Sequence, residues 1–225
     1  MIKPPFNDKQ RAPQSSQKIP ETDQEFQSFF HEFLDKLPKP IATTLLKAYD
    51  ESKALAEKQI AENKGKFESI FSNYLTGVDQ PTRKKCHQII HAASLTAAIV
   101  GFSPIPFSDA VLLVPIQMTM MARLHKLFGQ SWTASIGKSV SKELVLVSLG
   151  RSAVSNVLKF VPTVGTLAGG AINAGVASAI TESLGWVTVK MLNDGEDIFE
   201  HLMSFKGQVG SLFKLVHPLR KATSK

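Results

Sequence analysis

A 31-residue stretch from Ala92 to Ala122 constrains the fold more than any other part of this sequence, because Asp109 is its only formal charge. Two prolines, Pro104 and Pro106, interrupt the stretch near its middle. Each proline disfavours helix in the residue before it, so the pattern predicts two apolar helices that fold back on each other at a proline turn. Because unpaired polar backbone is costly away from water, such a hairpin must be buried in protein, in lipid, or partly in both.

A second hairpin is predicted further along the chain. Residues 132–160 have the pattern of an amphipathic helix, and Pro162 and Gly165 mark a turn. Residues 166–189 are apolar apart from Glu182. No stretch has the two-residue alternation that is typical of a strand. We therefore predict an all-α fold, a helical bundle built from two apolar hairpins that turn at prolines, with an N-terminal helical arm.

Small residues line the last apolar helix at a spacing of four, which lets another helix approach closely. This spacing occurs in membranes and in tightly packed soluble bundles, so it predicts helix packing rather than location. The two neighbouring stripes contain Gly170, Ala174 and Ser178, and Ala171, Gly175 and Ala179.

The sequence divides into four predicted regions. Residues 1–24 are rich in Pro, Gln, Ser and Lys and are expected to form a disordered tail. An amphipathic helical arm at 25–78 and the apolar double-hairpin domain at 79–195 follow. Residues 196–225 form a basic amphipathic helix, for which both core packing and membrane-surface binding are open. Its apolar residues follow a heptad seam, Ile198, Leu202, Phe205, Val209, Leu212 and Val216.

The arm begins with a stripe of phenylalanines. Their spacing predicts one face of an amphipathic helix, and a second, more polar helix is predicted from 41 to 75. One interpretation packs this arm on the main domain. The other places the stripe on a membrane surface or on a partner protein. The partner-binding candidates are Phe26, Phe29, Phe30 and Phe33.

The formal net charge is +7, and the basic excess lies in the apolar half of the chain. Basic residues flank the first hairpin at 83–85, Arg123 and Lys126, whereas its proline turn has none. A basic surface beside apolar helices favours anionic membrane lipid as a partner, and no nucleic-acid recognition pattern is present. If the hairpins insert, they should enter from the cytoplasmic side. The single cysteine and an N-terminus without an apolar segment favour the cytoplasmic side of the inner membrane, or alternatively the cytoplasm.

The sequence has few patterns that would indicate chemistry. Gly137-Lys138-Ser139 resembles the end of a phosphate-binding loop, but position 132 is Trp132 and no strand precedes it. His87 and His91 share a helix face without a third ligand, so neither a metal nor a cofactor is expected. The chain is therefore not expected to be an enzyme. Three polar residues are predicted to be buried in the apolar helices, with Asp109 at a helix start and the other two in interhelical hydrogen bonds: Asp109, Gln117 and Glu182.

Two segments of the apolar half resemble domain-of-unknown-function family 697. The similar positions in the first segment are His91 to Leu95, Gly101 to Gln117, Met121 and Phe128-Gly129. The second hairpin, from 161–162 through 181–185, resembles the second half of the family, so the resemblance covers roughly residues 85–195. The resemblance implies a helical, membrane-associated protein of bacterial type that accompanies a GTPase. This chain has no GTPase domain, so the GTPase would act in trans. The family offers no catalytic residue to carry over.

Two classes of function follow. The first is a non-enzymatic membrane-associated module that anchors or regulates a GTPase partner and is compatible with a homo-oligomer. The alternative is a soluble helical interaction domain. A small pore or membrane-perturbing protein is a third, minor alternative.

Overall fold

The computed structural model describes residues 20–63, 68–103, 108–132, 167–198 and 200–216. Within these ranges the chain forms eight helices and no strand, so the predicted all-α helical bundle is confirmed. The helices are α1 (Glu21–Asp35), α2 (Lys39–Lys47), α3 (Tyr49–Asn63), α4 (Glu68–Tyr74), α5 (Gln80–Phe102), α6 (Ser108–Leu127), α7 (Leu167–Asp194) and α8 (Leu202–Val216).

Helix α5 is the centre of the bundle and contacts α1, α3, α6 and α7. The Asp79 carboxylate caps its start by accepting the Thr82 N–H at 3.0 Å. Every residue from Ala92 to Gly101 is buried. A helix that is apolar on all sides has to be covered on all sides, and here other helices of the same chain cover it.

The directions of α6 and α7 follow from three close contacts. Ile90 of α5, Met120 of α6 and Gly185 of α7 meet at one point. At the other end of α5, Gly101 lies against Ala174. Helix α7 is therefore antiparallel to α5 and, since α6 meets α5 through its C-terminal half, α6 is antiparallel to α5 as well.

The arm is divided more finely than its sequence pattern indicates. In place of one helix from 41 to 75, the structure has α2, α3 and α4, with α1 beginning at Glu21. The chain leaves the helical conformation at Ala48, where φ is −98° and ψ is 4°. The break leaves Leu45 in the core and places Tyr49 on the ring of Phe30. The arm then ends in a turn where Gly77 has a φ of 81°.

Helix α8 packs on α7 through the predicted heptad seam. Ile198, Phe205, Val209 and Leu212 are all buried. Of the two uses predicted for this seam, the structure therefore shows core packing. On the opposite face of α8, Met203 and Lys214 are exposed, and Lys206 and Gly210 are half-buried.

Several predictions fall on residues outside the described ranges. These are most of the disordered tail expected at 1–24, the turns at Pro104, Pro106, Pro162 and Gly165, the expected helix from 133 to 160, and the end of the basic helix expected at 196–225. None of the helices in the described ranges is long and apolar enough to span a membrane.

Candidate functional site

The tightest part of the bundle is the seam between α5 and α7. A Cβ built on Gly101 would lie 2.5 Å from Cα of Ala174, so the two backbones nearly touch. A Cβ on Gly185 would lie 2.8 Å from Cγ1 of Ile90. Between these two contacts, the positions that line the seam are separated by four, three and four residues on both helices. Ile90 meets Gly185 and Gly101 meets Ala174, and the matching spacing brings Ser94 level with Thr181, and Ala97 level with Ser178.

One of the two predicted small-residue stripes lies in this seam. Gly170 faces the ring of Phe102, whose Cδ1 would be 3.4 Å from an added Cβ, and Ala174 faces Gly101. Ser178 is buried one turn further on. In the neighbouring stripe, the Ala171 carbonyl accepts a hydrogen bond from Gln59 at 2.9 Å. In the same stripe Gly175 is half-buried and Ala179 is buried.

Two hydroxyl groups in the seam differ from the other buried hydroxyls. Ser94 Oγ and Thr181 Oγ1 are buried and have no hydrogen-bond partner in the structure described here. By contrast, Thr96, Ser183 and Thr188 each donate to the carbonyl four residues earlier, at 2.8 Å. Removing Ser94 or Thr181 as donors would therefore leave no acceptor unpaired, which fits a seam held by close contact.

The predicted buried polar residues have separate environments. Gln117 is buried in α6, and Asp109 is the second residue of α6, with its side chain outside the description. Burial raises the pKa of Glu182, although the nearby indole of Trp186 partly lowers it. The Trp186 ring is stacked on Phe71, with centroids 4.5 Å apart. Gln117 and Glu182 lie on different helices, α6 and α7.

A second junction joins the arm to the apolar hairpin through Arg123 of α6. Its guanidinium donates to Glu25 at 2.6 Å and to Glu32 at 2.7 Å, and it lies 5.1 Å from the ring centroid of Phe29. Lys85 of α5 also pairs with Glu25, at 2.9 Å. This network links α1 to both α5 and α6.

The electrostatics of the junction follow from these contacts. Burial raises the pKa of Glu25, but hydrogen bonds and charge from Lys85 and Arg123 outweigh it, so the pKa lies below its ordinary value. Glu32 behaves in the same way, with Lys36 as the other cation. Both carboxylates are therefore ionised at neutral pH and hold α1 in place.

This junction changes the interpretation of the basic residues beside the hairpin. Lys84 pairs with Glu21, and Lys85 and Arg123 pair with Glu25. Arg83 donates to the Val78 and Leu75 carbonyls. These four cations contact the arm and its connection to α5, and the anionic lipid expected as their partner stays a prediction.

The phenylalanine stripe also lies in the interior. All four side chains are buried in the same core as α5, so a partner cannot reach them in this arrangement: Phe26, Phe29, Phe30 and Phe33. Of the two interpretations of the arm, the structure adopts the one that packs it on the main domain. Their role in binding a partner stays a prediction that would require α1 to leave α5.

The histidine pair and the cysteine do not form a metal site with a third ligand. No group of three or more His, Cys, Asp or Glu residues that could hold a metal occurs in the described ranges. His87 instead lies edge-on to Trp186, with centroids 4.7 Å apart. Burial raises the pKa of Cys86 to about 12, so its thiol is protonated at neutral pH.

The outer face of α8 is the most exposed apolar feature in the described ranges. The Met203 side chain is 80% exposed, and Lys206 and Lys214 lie on the same side of the helix. A Cβ added to Gly207 or Gly210 would meet nothing within 4 Å. The sequence pattern indicated only the buried seam of this helix and did not identify an outer face. Met203 lies between the seam residues Leu202 and Phe205, and this position could have indicated that face.

The Arg123 network was also missed at the level of sequence. Its signal is the seven-residue separation of Glu25 and Glu32, which places both on one face of α1. The cation that pairs with them comes from α6, more than ninety residues away. Local patterns contain no information on that pairing.

Comparison with known proteins places these features in a family. The family model described as a domain of unknown function, number 697, matches residues 68–216. The chain is 32% identical over 109 residues to magnetosome membrane protein 22 of Magnetospirillum gryphiswaldense, an alignment that covers 47% of this chain and 56% of that relative. The match thus spans little more than half of the relative's length. No solved structure matches the chain. Because the family match covers well over half of the 225 residues, the chain belongs to domain-of-unknown-function family 697.

Proposed function

We propose that this protein is a non-enzymatic helical module that associates with a membrane, on its cytoplasmic side. The observation that carries the proposal is the similarity to a magnetosome membrane protein over 109 residues of the chain. The architecture supports a binding role, since the seam between α5 and α7 is a close-packed scaffold.

Attachment through a surface fits the fold better than insertion of α5. This helix is enclosed by α1, α3, α6 and α7, and the arm is held over it by the Arg123 network. Exposing α5 to lipid would require α1 to leave α5. Arg123 would then lose the carboxylates of Glu25 and Glu32, and lipid chains offer no replacement for them. The module is therefore proposed to bind as a folded bundle.

Cell fractionation tests this proposal. The full chain is expressed, and membranes are collected at low ionic strength and then washed with carbonate. We expect the chain in the membrane fraction before the wash and in the supernatant after it. Recovery in the soluble fraction at low ionic strength would contradict the proposal, whereas retention after carbonate would indicate insertion.

We further propose that the module anchors or regulates a GTPase that acts in trans. The support is the resemblance to a family whose members accompany GTPases. Because the phenylalanine stripe is buried, the exposed side of the arm is the surface proposed for this contact. There Leu46 is 53% exposed between the exposed Thr43 and Lys47.

The GTPase proposal is tested by immobilising the purified chain and recovering bound protein from native lysate. Bound protein is labelled with a photoreactive GTP analogue, so that only nucleotide-binding partners are counted. Leu46→Ser with Lys47→Gln should reduce the labelled signal, and Met203→Ser on α8 is the matched control. An equal signal from both variants would exclude the arm surface.

A further inference from the structure

We infer that the outer face of α8 is the surface that binds an anionic lipid bilayer, an inference that rests on the proposed membrane association and assigns it to particular residues. Helix α8 has two different faces. Phe205, Val209 and Leu212 point into the core. Residues 203, 206, 210 and 214 are spaced by three, four and four, so they share the opposite face.

The outer face combines an apolar side chain with cations. Met203 is more exposed than any other large hydrophobic residue in the described ranges, and Leu215 is exposed beside Lys214. An interfacial helix buries such apolar side chains at the level of the lipid headgroups, while the lysine ammonium groups reach the phosphates. The side chains on this face therefore suit a lipid surface.

The two glycines make the face flat. Gly207 and Gly210 lie in the helix interior, where each costs about 1 kcal/mol relative to alanine. Nothing lies within 4 Å of a Cβ added at either position, so packing in the structure does not require glycine there. Between Met203 and Lys214 the helix backbone can consequently come close to a planar surface.

Charge complementarity identifies the occupant as anionic lipid. Residues 196–225 carry five cations against three anions, and the anions (Glu196, Asp197 and Glu200) all lie before the start of α8, whereas every fixed charge from 202 onward is positive: Lys206, Lys214, Arg220, Lys221 and Lys225. The exposed patch on the arm differs in its balance, because between residues 39 and 51 the two cations, Lys39 and Lys47, are matched by two anions, Asp50 and Glu51. An anionic surface would therefore be attracted to α8 and partly repelled from the arm.

The test is flotation of the full chain with vesicles of phosphatidylcholine containing one third phosphatidylglycerol, compared with vesicles of phosphatidylcholine alone. The α8 variant carries Met203→Ser, Lys206→Gln and Lys214→Gln. The matched arm variant carries Leu46→Ser, Lys39→Gln and Lys47→Gln, which are the same chemical changes at exposed positions. Far-UV circular dichroism and thermal unfolding check that both variants fold.

We expect wild type and the arm variant to float with anionic vesicles and not with neutral ones. The α8 variant should partition at least about 25-fold more weakly, since each of the two lysines near an anionic surface contributes about fivefold and the loss of the Met203 side chain weakens binding further. Equal binding by the α8 variant would overturn the assignment while leaving membrane association intact. If wild type fails to float but is recovered with cell membranes, a membrane protein rather than lipid holds it, and the assignment is wrong. If it does neither, the proposed function itself fails.

Discussion

Replacing Arg123 with alanine should loosen the arm from the apolar hairpin. The side chain is 20% exposed, and it pairs with Glu25, which is 12% exposed, and with Glu32, which is 42% exposed. Because the two partners differ in burial, their pairs should contribute differently to stability. The substitution leaves Glu25 with Lys85 as its remaining cation.

The expected loss of stability follows from the contacts of Arg123 with Glu25, Glu32 and the ring of Phe29. The sheltered hydrogen bond to Glu25 should contribute about 1.5 kcal/mol, and the exposed one to Glu32 about 0.5 kcal/mol. The position over Phe29 adds about 0.5 kcal/mol. We therefore expect Arg123→Ala to lower the free energy of unfolding by about 2–3 kcal/mol. For a chain of this length that corresponds to a fall in Tm of about 5–10 °C.

Thermal unfolding followed by far-UV circular dichroism at low ionic strength measures this effect. Lys126→Ala is the matched control, because it removes an exposed cation from the same turn of α6 and should change stability by less than about 0.5 kcal/mol. Arg123→Lys should fall between the two, since it keeps the charge but loses the planar fork. If Arg123→Ala unfolds at the same temperature as Lys126→Ala, the junction does not hold the arm.

The same variants have a predicted pH dependence. The folded pKa values of Glu25 and Glu32 lie below the ordinary value of 4.5. The stabilisation is therefore present above that value and is lost as the pH falls through the folded pKa values. The difference in Tm between wild type and Arg123→Ala should shrink in acid, and a difference that is constant with pH would show that charge pairing is not its source.

Three further predictions concern the seam and the buried groups. Gly101→Ala should lower the free energy of unfolding by about 1–3 kcal/mol, because the added methyl group meets the backbone of α7. Gly207→Ala should raise it by about 0.5–1 kcal/mol, because the added methyl group meets nothing and alanine favours helix. Urea unfolding of both variants measures the two effects. Since burial raises the pKa of Glu182, the stability tied to its protonated form is present below 4.5 and lost as the pH rises, so Glu182→Gln should raise Tm at neutral pH but not in acid. Cys86 should resist a thiol reagent in native protein and react after unfolding, and rapid native labelling would mean that α5 is less enclosed than described.

The sequence was sufficient to predict the helical class and the burial of the apolar stretch, but not its surroundings. Because Asp109 is the only formal charge from Ala92 to Ala122, this stretch requires burial whether lipid or protein covers it. The covering elements come from distant parts of the chain, with α1 before this stretch and α7 well after it. Periodicity is a local property and cannot identify them.

Local patterns also did not predict where the arm bends. The chain bends at Ala48, although no proline or glycine occurs between residues 41 and 60 to mark the bend. The turn allows Tyr49 to pack on Phe30, a contact between two helices. Tertiary packing thus overrode helix propensity. The stripe of small residues was predictable because a spacing of four is itself the packing signal, but which stripe would face α5 depended on the position of Gly101.

The central claim is that α5 is enclosed by protein and stays enclosed at a membrane. Hydrogen–deuterium exchange of the full chain, measured with and without anionic vesicles, tests this claim most directly. We predict that amides from Ala92 to Gly101 are strongly protected in water alone and that vesicles leave this protection unchanged, while amides in α8 exchange more slowly when vesicles are added. Rapid exchange of α5 in water, with protection only when lipid is present, would contradict the account and place the apolar hairpin in the bilayer.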